Sequence, residues 1–116
     1  MQVLIDTNVV LDVLMQRPGY ELSGRVLQMS GKGIIRGFLS ASAVTDIYYI
    51  LNRQMKDRVR TVDSIKTILS LIDVADVTGE DIREALDSGW KDFEDCVQNR
   101  VAVHNHARYI VTRNIK

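Results

Sequence analysis

Apolar residues along this chain fall into two alternating spacings. Val3, Leu4 and Ile5 are contiguous, as in a short strand covered on both faces. Directly afterwards Val9, Val10, Val13 and Leu14 recur at helical spacing, which predicts a helix over residues 8–16. The run Q-R-P-G-Y, with Pro18, breaks the chain. A second helix follows in E-L-S-G-R-V-L-Q-M-S-G, with Leu22, Val26, Leu27 and Met29 assigned to its inner face. G-I-I-R-G-F-L-S is apolar and β-branched and predicts the second strand. S-A-V-T-D-I-Y-Y-I-L-N-R-Q-M is a third helix with a stripe of Val44, Ile47, Tyr48 and Leu51. V-D-S-I-K-T-I-L-S-L-I is a fourth, through Ile65, Ile68, Leu69 and Ile72. D-V-A-D-V-T predicts a short strand, and T-G-E-D-I-R-E-A-L-D-S-G a fifth helix capped by Thr78 with Asp81 three residues on. D-F-E-D-C-V-Q-N-R-V-A-V-H-N-H-A is a sixth helix, and R-Y-I-V-T-R closes with a strand. Strands alternating with helices predict an α/β domain around a parallel sheet, whose ligands bind beyond the carboxyl ends of the strands.

Composition narrows the class without choosing a function. The 116 residues suit one domain, with 46% hydrophobic and 26% charged positions. Fifteen basic residues balance fifteen acidic ones, so no general nucleic-acid coat is present. The densest basic run is K-D-R-V-R, with Lys56, Arg58 and Arg60, and a solvated loop between helices accounts for it as well as a binding patch does. Cys96 is the single cysteine and fits an apolar stripe with Phe93 and Val97, so it is assigned to the core. Trp90 is assigned to packing between helices. No run approaches the ~20 apolar residues of a membrane span, and no basic-then-apolar leader opens the chain. A cytoplasmic protein is expected.

The acids carry the chemistry. Asp6 ends the first strand, Asp46 sits in the first turns of the third helix, and Asp92 and Asp95 open the sixth. If the strands are neighbours, these segments begin at one sheet edge and their carboxylates converge. Two unit charges ~4 Å apart repel by roughly 4 kcal/mol at an effective dielectric of about 20, so protons or cations must offset such a cluster. Mg²⁺ and Mn²⁺ prefer oxygen ligands and bridge to phosphates, and they can activate water for phosphodiester hydrolysis. Zinc is disfavoured, since His104 and His106 lie two apart on a helix, on nearly opposite faces. Each acid also has a plainer role: Asp92 and Asp95 as helix-start acids, Asp46 likewise, and Asp6 as a cap for the first helix. A phosphoacceptor receiver domain fits poorly, because neither I-I-R-G-F-L-S nor D-V-A-D-V-T supplies an acceptor aspartate. A haloacid-type phosphatase wants an aspartate at position 8, which is Asn8.

L-I-D-T-N-V-V-L-D-V-L, S-A-V-T-D-I-Y-Y-I-L, D-F-E-D-C-V-Q and Y-I-V-T-R-N-I-K, in that order, cover nearly the whole chain. Together they resemble the PIN-domain ribonucleases, and more closely the VapC-like toxins of prokaryotic toxin–antitoxin pairs. The resemblance implies a three-layer α/β/α sandwich with a central parallel sheet, formed by a single domain over residues 1–116. It implies a metal-dependent endoribonuclease that hydrolyses single-stranded RNA with Mg²⁺ or Mn²⁺. Asp6, Asp46 and Asp95 match the family's catalytic acids, and Asp92 joins them as a metal ligand. Asn8, Thr112 and Asn114 match supporting positions. A cognate antitoxin protein and a homodimer are the implied partners, with no membrane. Two departures stand out. Position 46 is aspartate where the family more often has glutamate, and the family pattern continues past T-R-N with an Asp-Phe pair, a final strand and often a fourth acid. The alternative is an impaired PIN-like module that binds RNA or protein without cutting.

Overall fold

The computed structural model describes residues 1–112; Asn114, expected as a supporting site residue, lies outside them. Chain order is β1 (Gln2–Ile5), α1 (Thr7–Met15), α2 (Tyr20–Gly31), β2 (Arg36–Ser40), α3 (Ala41–Met55), α4 (Arg58–Leu69), β3 (Asp73–Ala75), α5 (Gly79–Asp87), α6 (Phe93–His104) and β4 (Tyr109–Val111). The four strands form one sheet in the order β3-β2-β1-β4, with every pairing parallel. In the centre, Leu4 lies opposite Phe38 on one side and Ile110 on the other.

Side chains of a strand alternate between faces, and here that alternation divides the core in two. Leu4 and Phe38 pack with Ala85, Cys96, Val97 and Val101 from α5 and α6. Ile5 and Leu39 point the other way, onto Val9, Val10, Leu27, Ala43, Ile47 and Ile68 from α1 to α4. The fold is therefore an α/β/α sandwich, with both faces of β1 covered. Cys96 and Val97 are buried, as their stripe predicts, but Phe93 of the same stripe is 42% exposed because it opens α6 at the rim of that layer.

Several expectations are corrected. Leu22 is 66% exposed and Met29 is also exposed, while Ser23 and Leu27 are buried. The inner face of α2 is thus rotated from the one assigned, because Ser23 hydrogen-bonds the buried Asp12 of α1 at 3.3 Å. The helix α4 starts at Arg58, four residues before the expected V-D-S-I start. Asp57 accepts from the Arg60 amide at 3.1 Å and caps it, so Arg58 and Arg60 belong to a helical turn and not to a loop. Trp90 is half exposed and does not fill a helix interface. The Thr78 expectation holds: its side chain accepts from the Asp81 amide and Asp81 returns a bond to the Thr78 amide, closing a capping box.

Gly37 marks the tightest approach of a helix layer to the sheet. A Cβ there would meet Ile5 Cδ1 at 2.7 Å, Ser30 Oγ at 3.1 Å and Ile72 Cγ2 at 3.2 Å. The same Ser30 hydroxyl accepts from the Gly37 amide and donates to the Leu71 carbonyl, tying α2, β2 and the end of α4 together. Gly37→Ala therefore overpacks a well-filled core and is expected to lower unfolding free energy by ~1–3 kcal/mol, read as a lower urea midpoint with unchanged slope. A midpoint equal to the parent's would show that this contact is slack.

Candidate functional site

Asp6 owes its place to the sheet. Its backbone is still extended (φ −72°, ψ 150°) and its amide donates to the Val111 carbonyl of β4 at 2.9 Å, before α1 begins at Thr7. It holds the N-cap position of α1, yet its side chain makes no capping hydrogen bond. The Thr7 and Asn8 amides at the start of α1 still act on this carboxylate and favour its charged form. One strand over, Ser40 makes the same abrupt passage from β2 into α3 (φ −71°, ψ 152°), and its hydroxyl does cap, accepting from the Ala43 amide at 3.1 Å. The α3 stripe of Ala43, Ile47 and Leu51 is buried, which leaves Asp46 half-buried at its flank. Asp92 caps α6 by accepting from the Asp95 amide at 3.0 Å. Cys96 and Val97 then bury the inner side of that helix.

These segments meet around one cleft of about 850 Å³. Asp6 and Asn8 line it from α1, Asp46 from α3, and Asp92, Glu94 and Asp95 from the start of α6. All four predicted acids and Asn8 are thus brought together. Thr112 is exposed just past β4 and is not among the lining residues. Glu94 was missed by sequence reasoning. Its signal was present as the third acid of the D-F-E-D run, but its direction depends on how α6 docks. Gln98, one turn after Glu94, donates to Ser40 Oγ at 2.8 Å, while its own Oε1 is buried with no hydrogen-bond partner among the described residues.

Crowded carboxylates should hold protons more tightly, and two do. Burial raises Asp6 above the ordinary carboxylate value, with the Asp95 charge adding to it; the amides of Thr7 and Asn8 and the Asn8 side chain pull the other way. Glu94 is pushed up to about 7. The main cause is a hydrogen bond to Asp46 that only the protonated Glu94 carboxyl can donate, followed by desolvation and the charges of Asp46, Asp92 and Asp6. The donor set of this cleft is oxygen only, and its charge is high enough to retain a proton near neutrality. A divalent cation suits such a cleft, since it would offset the charge that the proton otherwise offsets.

The cleft's carboxylates line one cavity without three of their ligand atoms coming within 4.8 Å of one another; among the described residues a different group does so. Asp81, Glu84 and His104 bring ligand atoms within 4.8 Å of one another. However, His104 Nδ1 lies 2.6 Å from Asp81 Oδ1, and Arg100 contacts Glu84 Oε1 at 2.7 Å. The guanidinium supplies the positive charge there, and the group joins α5 to α6. His106 lies beyond the helix in a left-handed turn (φ 56°) and takes no part in it.

An α/β/α sandwich with an acid-lined cleft beyond the carboxyl ends of parallel strands is the architecture defined by these observations. The PIN domain family profile matches residues 2–116, and the chain belongs to that family. No curated protein matches its sequence. Among solved structures, VapBC2 from Rickettsia felis, bound to a DNA fragment from its promoter, is similar with a TM-score of 0.73 at 16% identity, covering 98% of this chain and 89% of that one. VapC20 from Mycobacterium tuberculosis, a sarcin–ricin loop cleaving toxin, is similar with a TM-score of 0.75 at 13% identity, covering 97% of this chain and 89% of that one. At these identities the likeness is one of fold.

The raised Glu94 value predicts a pH signature. Its proton is bound more tightly in the fold than in the unfolded chain, where the ordinary value is 4.5. The stability it confers is complete below about pH 4.5 and is lost as pH rises through about 7. In EDTA, the urea midpoint of Glu94→Gln should fall less than the parent's over that window. Superimposable pH profiles would contradict the shared proton.

Proposed function

We propose that this chain is a metal-dependent endoribonuclease that hydrolyses single-stranded RNA and serves as the toxin of a toxin–antitoxin pair. The observation that carries the reading is the convergence of five carboxylates, from three separate segments, on one open cleft. Such charge is costly unless a cation resides there. Family membership supports a nuclease, and the fold likeness to a sarcin–ricin loop cleaving toxin and to a VapBC assembly supports the toxin role.

In this reading Asp6, Asp46 and Asp95 hold Mg²⁺ or Mn²⁺. Asp92, one of whose carboxylate oxygens accepts from the Asp95 amide, would join them as a further ligand. When bound, the ion supplies an acidified water and a counter-charge for the phosphodiester. Asp6 stays in position because β4 and β1 clamp its backbone. Glu94, whose carboxyl holds its proton above the usual range beside Asp46, would favour its charged form beside such an ion. Gln98 Oε1, buried and unpaired, accepts a hydrogen bond from a water or hydroxyl in the cleft. An antitoxin, a homodimeric assembly, the cytoplasm and a single functional unit over residues 1–116 complete the proposal. No helix among the described residues is long and apolar enough to cross a membrane.

Labelled single-stranded RNA incubated with Mn²⁺ or Mg²⁺ should be cut, and EDTA should stop the cutting. Asp6→Asn and Asp95→Asn should each lower the rate by ~10²-fold or more, because a lost ligand removes several kcal/mol of charge stabilisation. Their circular dichroism should remain native. Cutting by either variant at the parent's rate would remove that residue from the site. Binding of RNA with no cutting by the parent chain would favour the impaired binding module instead.

A further inference from the structure

Five carboxylates and one basic side chain, Arg53, line the cleft. A polyanionic strand is repelled by such a surface, and a bound divalent ion only reduces that charge. Affinity for RNA must therefore come largely from contacts that are not ionic. Two aromatic rings are placed where such contacts can form. Tyr49 and Phe93 both line the cleft, from α3 and from the first residue of α6, and are 62% and 42% exposed. An exposed ring is ordinarily unremarked, but these two flank the acids from opposite helices. Tyr49 is braced by the half-buried Tyr48, whose ring meets it edge-on at 5.4 Å and 89°, an arrangement that favours a fixed ring face.

The cleft side of α3 carries Asp46, Tyr49 and Arg53 at i, i+3 and i+7. Asp46 lies nearest the sheet, Tyr49 comes next, and the Arg53 Cα lies ~10 Å beyond that of Asp46 along the helix axis. No ion pair engages Arg53 among the described residues. An acid beside the reacting phosphate, a ring for a base and a cation for a neighbouring phosphate form a sequence that matches a single strand.

Resting on the ribonuclease reading above, we infer that Tyr49 and Phe93 are base-stacking residues and that Arg53 is the phosphate contact which sets the strand's direction through the cleft. Bases in a duplex are already stacked and cannot reach the rings, so the cleft selects single-stranded RNA. Stacking is tolerant of base identity, so these residues confer preference for strandedness, not for sequence.

Fluorescence anisotropy of a labelled single-stranded RNA oligonucleotide in Mg²⁺, beside its duplex, measures this apart from cutting when the parent and every variant carry Asp95→Asn, which suppresses hydrolysis. Tyr49→Ala and Phe93→Leu should each weaken single-strand binding roughly tenfold, while Tyr49→Phe binds as the parent. Arg53→Gln should lower the dependence of log affinity on log salt by about 0.7, one single-strand phosphate contact. In the cutting assay, the Tyr49→Ala loss should appear in KM, with kcat within about twofold of the parent. Tyr49→Ala and Phe93→Leu binding as the parent does, Tyr49→Phe failing like Tyr49→Ala, or a duplex bound as tightly as the single strand would each overturn the inference, whether or not the chain cuts RNA. Stacking-dependent binding with no cutting would overturn the nuclease reading and uphold the inference. A parent chain that neither binds nor cuts RNA would overturn both.

Discussion

Parallel pairing of β1 with both β2 and β4 is the constraint from which the rest of the molecule follows. It brings all strand carboxyl ends to one edge, and α1 and α3 must begin there because β1 and β2 end there. The Asp6 amide bonded to the Val111 carbonyl fixes the most central of these exits. With both faces of β1 buried by helices, the chain cannot turn Asp6 away from the edge without moving the core around Leu4 and Ile5. Like-charge crowding is thus a consequence of the sheet, and it is sustained by burial energy elsewhere. Among the described residues, twenty-one hydrophobic side chains form that buried core, which makes a locally unfavourable cluster tolerable.

Much of this fold was legible in the sequence because its signals are local. The contiguous Val3–Leu4–Ile5 run and the Thr78–Asp81 box each declare themselves within a few residues. The third helix's predicted stripe of Val44, Ile47, Tyr48 and Leu51 holds at Ile47 and Leu51, with Ala43 buried in place of Val44 and Tyr48. Errors arose where tertiary contacts choose between two plausible faces. Leu22 and Met29 are as apolar as Leu27, but the buried Ser23–Asp12 bond turns α2 so that they face outward. The Asp57 cap moved the start of α4 upstream, past residues whose charge suggested a loop. Trp90 is bulky enough to suggest packing, yet it sits after Gly89 in an exposed connection.

Site residues divide along the same line. Asp6, Asp46, Asp92 and Asp95 follow element boundaries, which apolar periodicity and the family resemblance both mark. Their convergence on one cleft is a geometric fact, while their ligand roles are proposed. Glu94, Gln98, Tyr49 and Arg53 become visible only once α3 and α6 are docked, since their direction depends on helix phase against the sheet. The Asp81–His104 and Glu84–Arg100 pairs show the converse. There the acids gathered by the fold are engaged within the chain, Glu84 by the Arg100 guanidinium and Asp81 by His104.

On the reading proposed above, the cleft's carboxylates form a cation site in which Glu94 keeps a proton until the cation arrives. Isothermal titration of the chain with MnCl₂ at about pH 6.5, repeated in buffers of different ionisation enthalpy, tests it most directly, because metal binding to protonated ligands releases protons. The account predicts saturable Mn²⁺ uptake with measurable proton release, both lost in the combined Asp6→Asn, Asp95→Asn variant. Absence of uptake by the parent chain, or uptake that the variant retains in full, would contradict it.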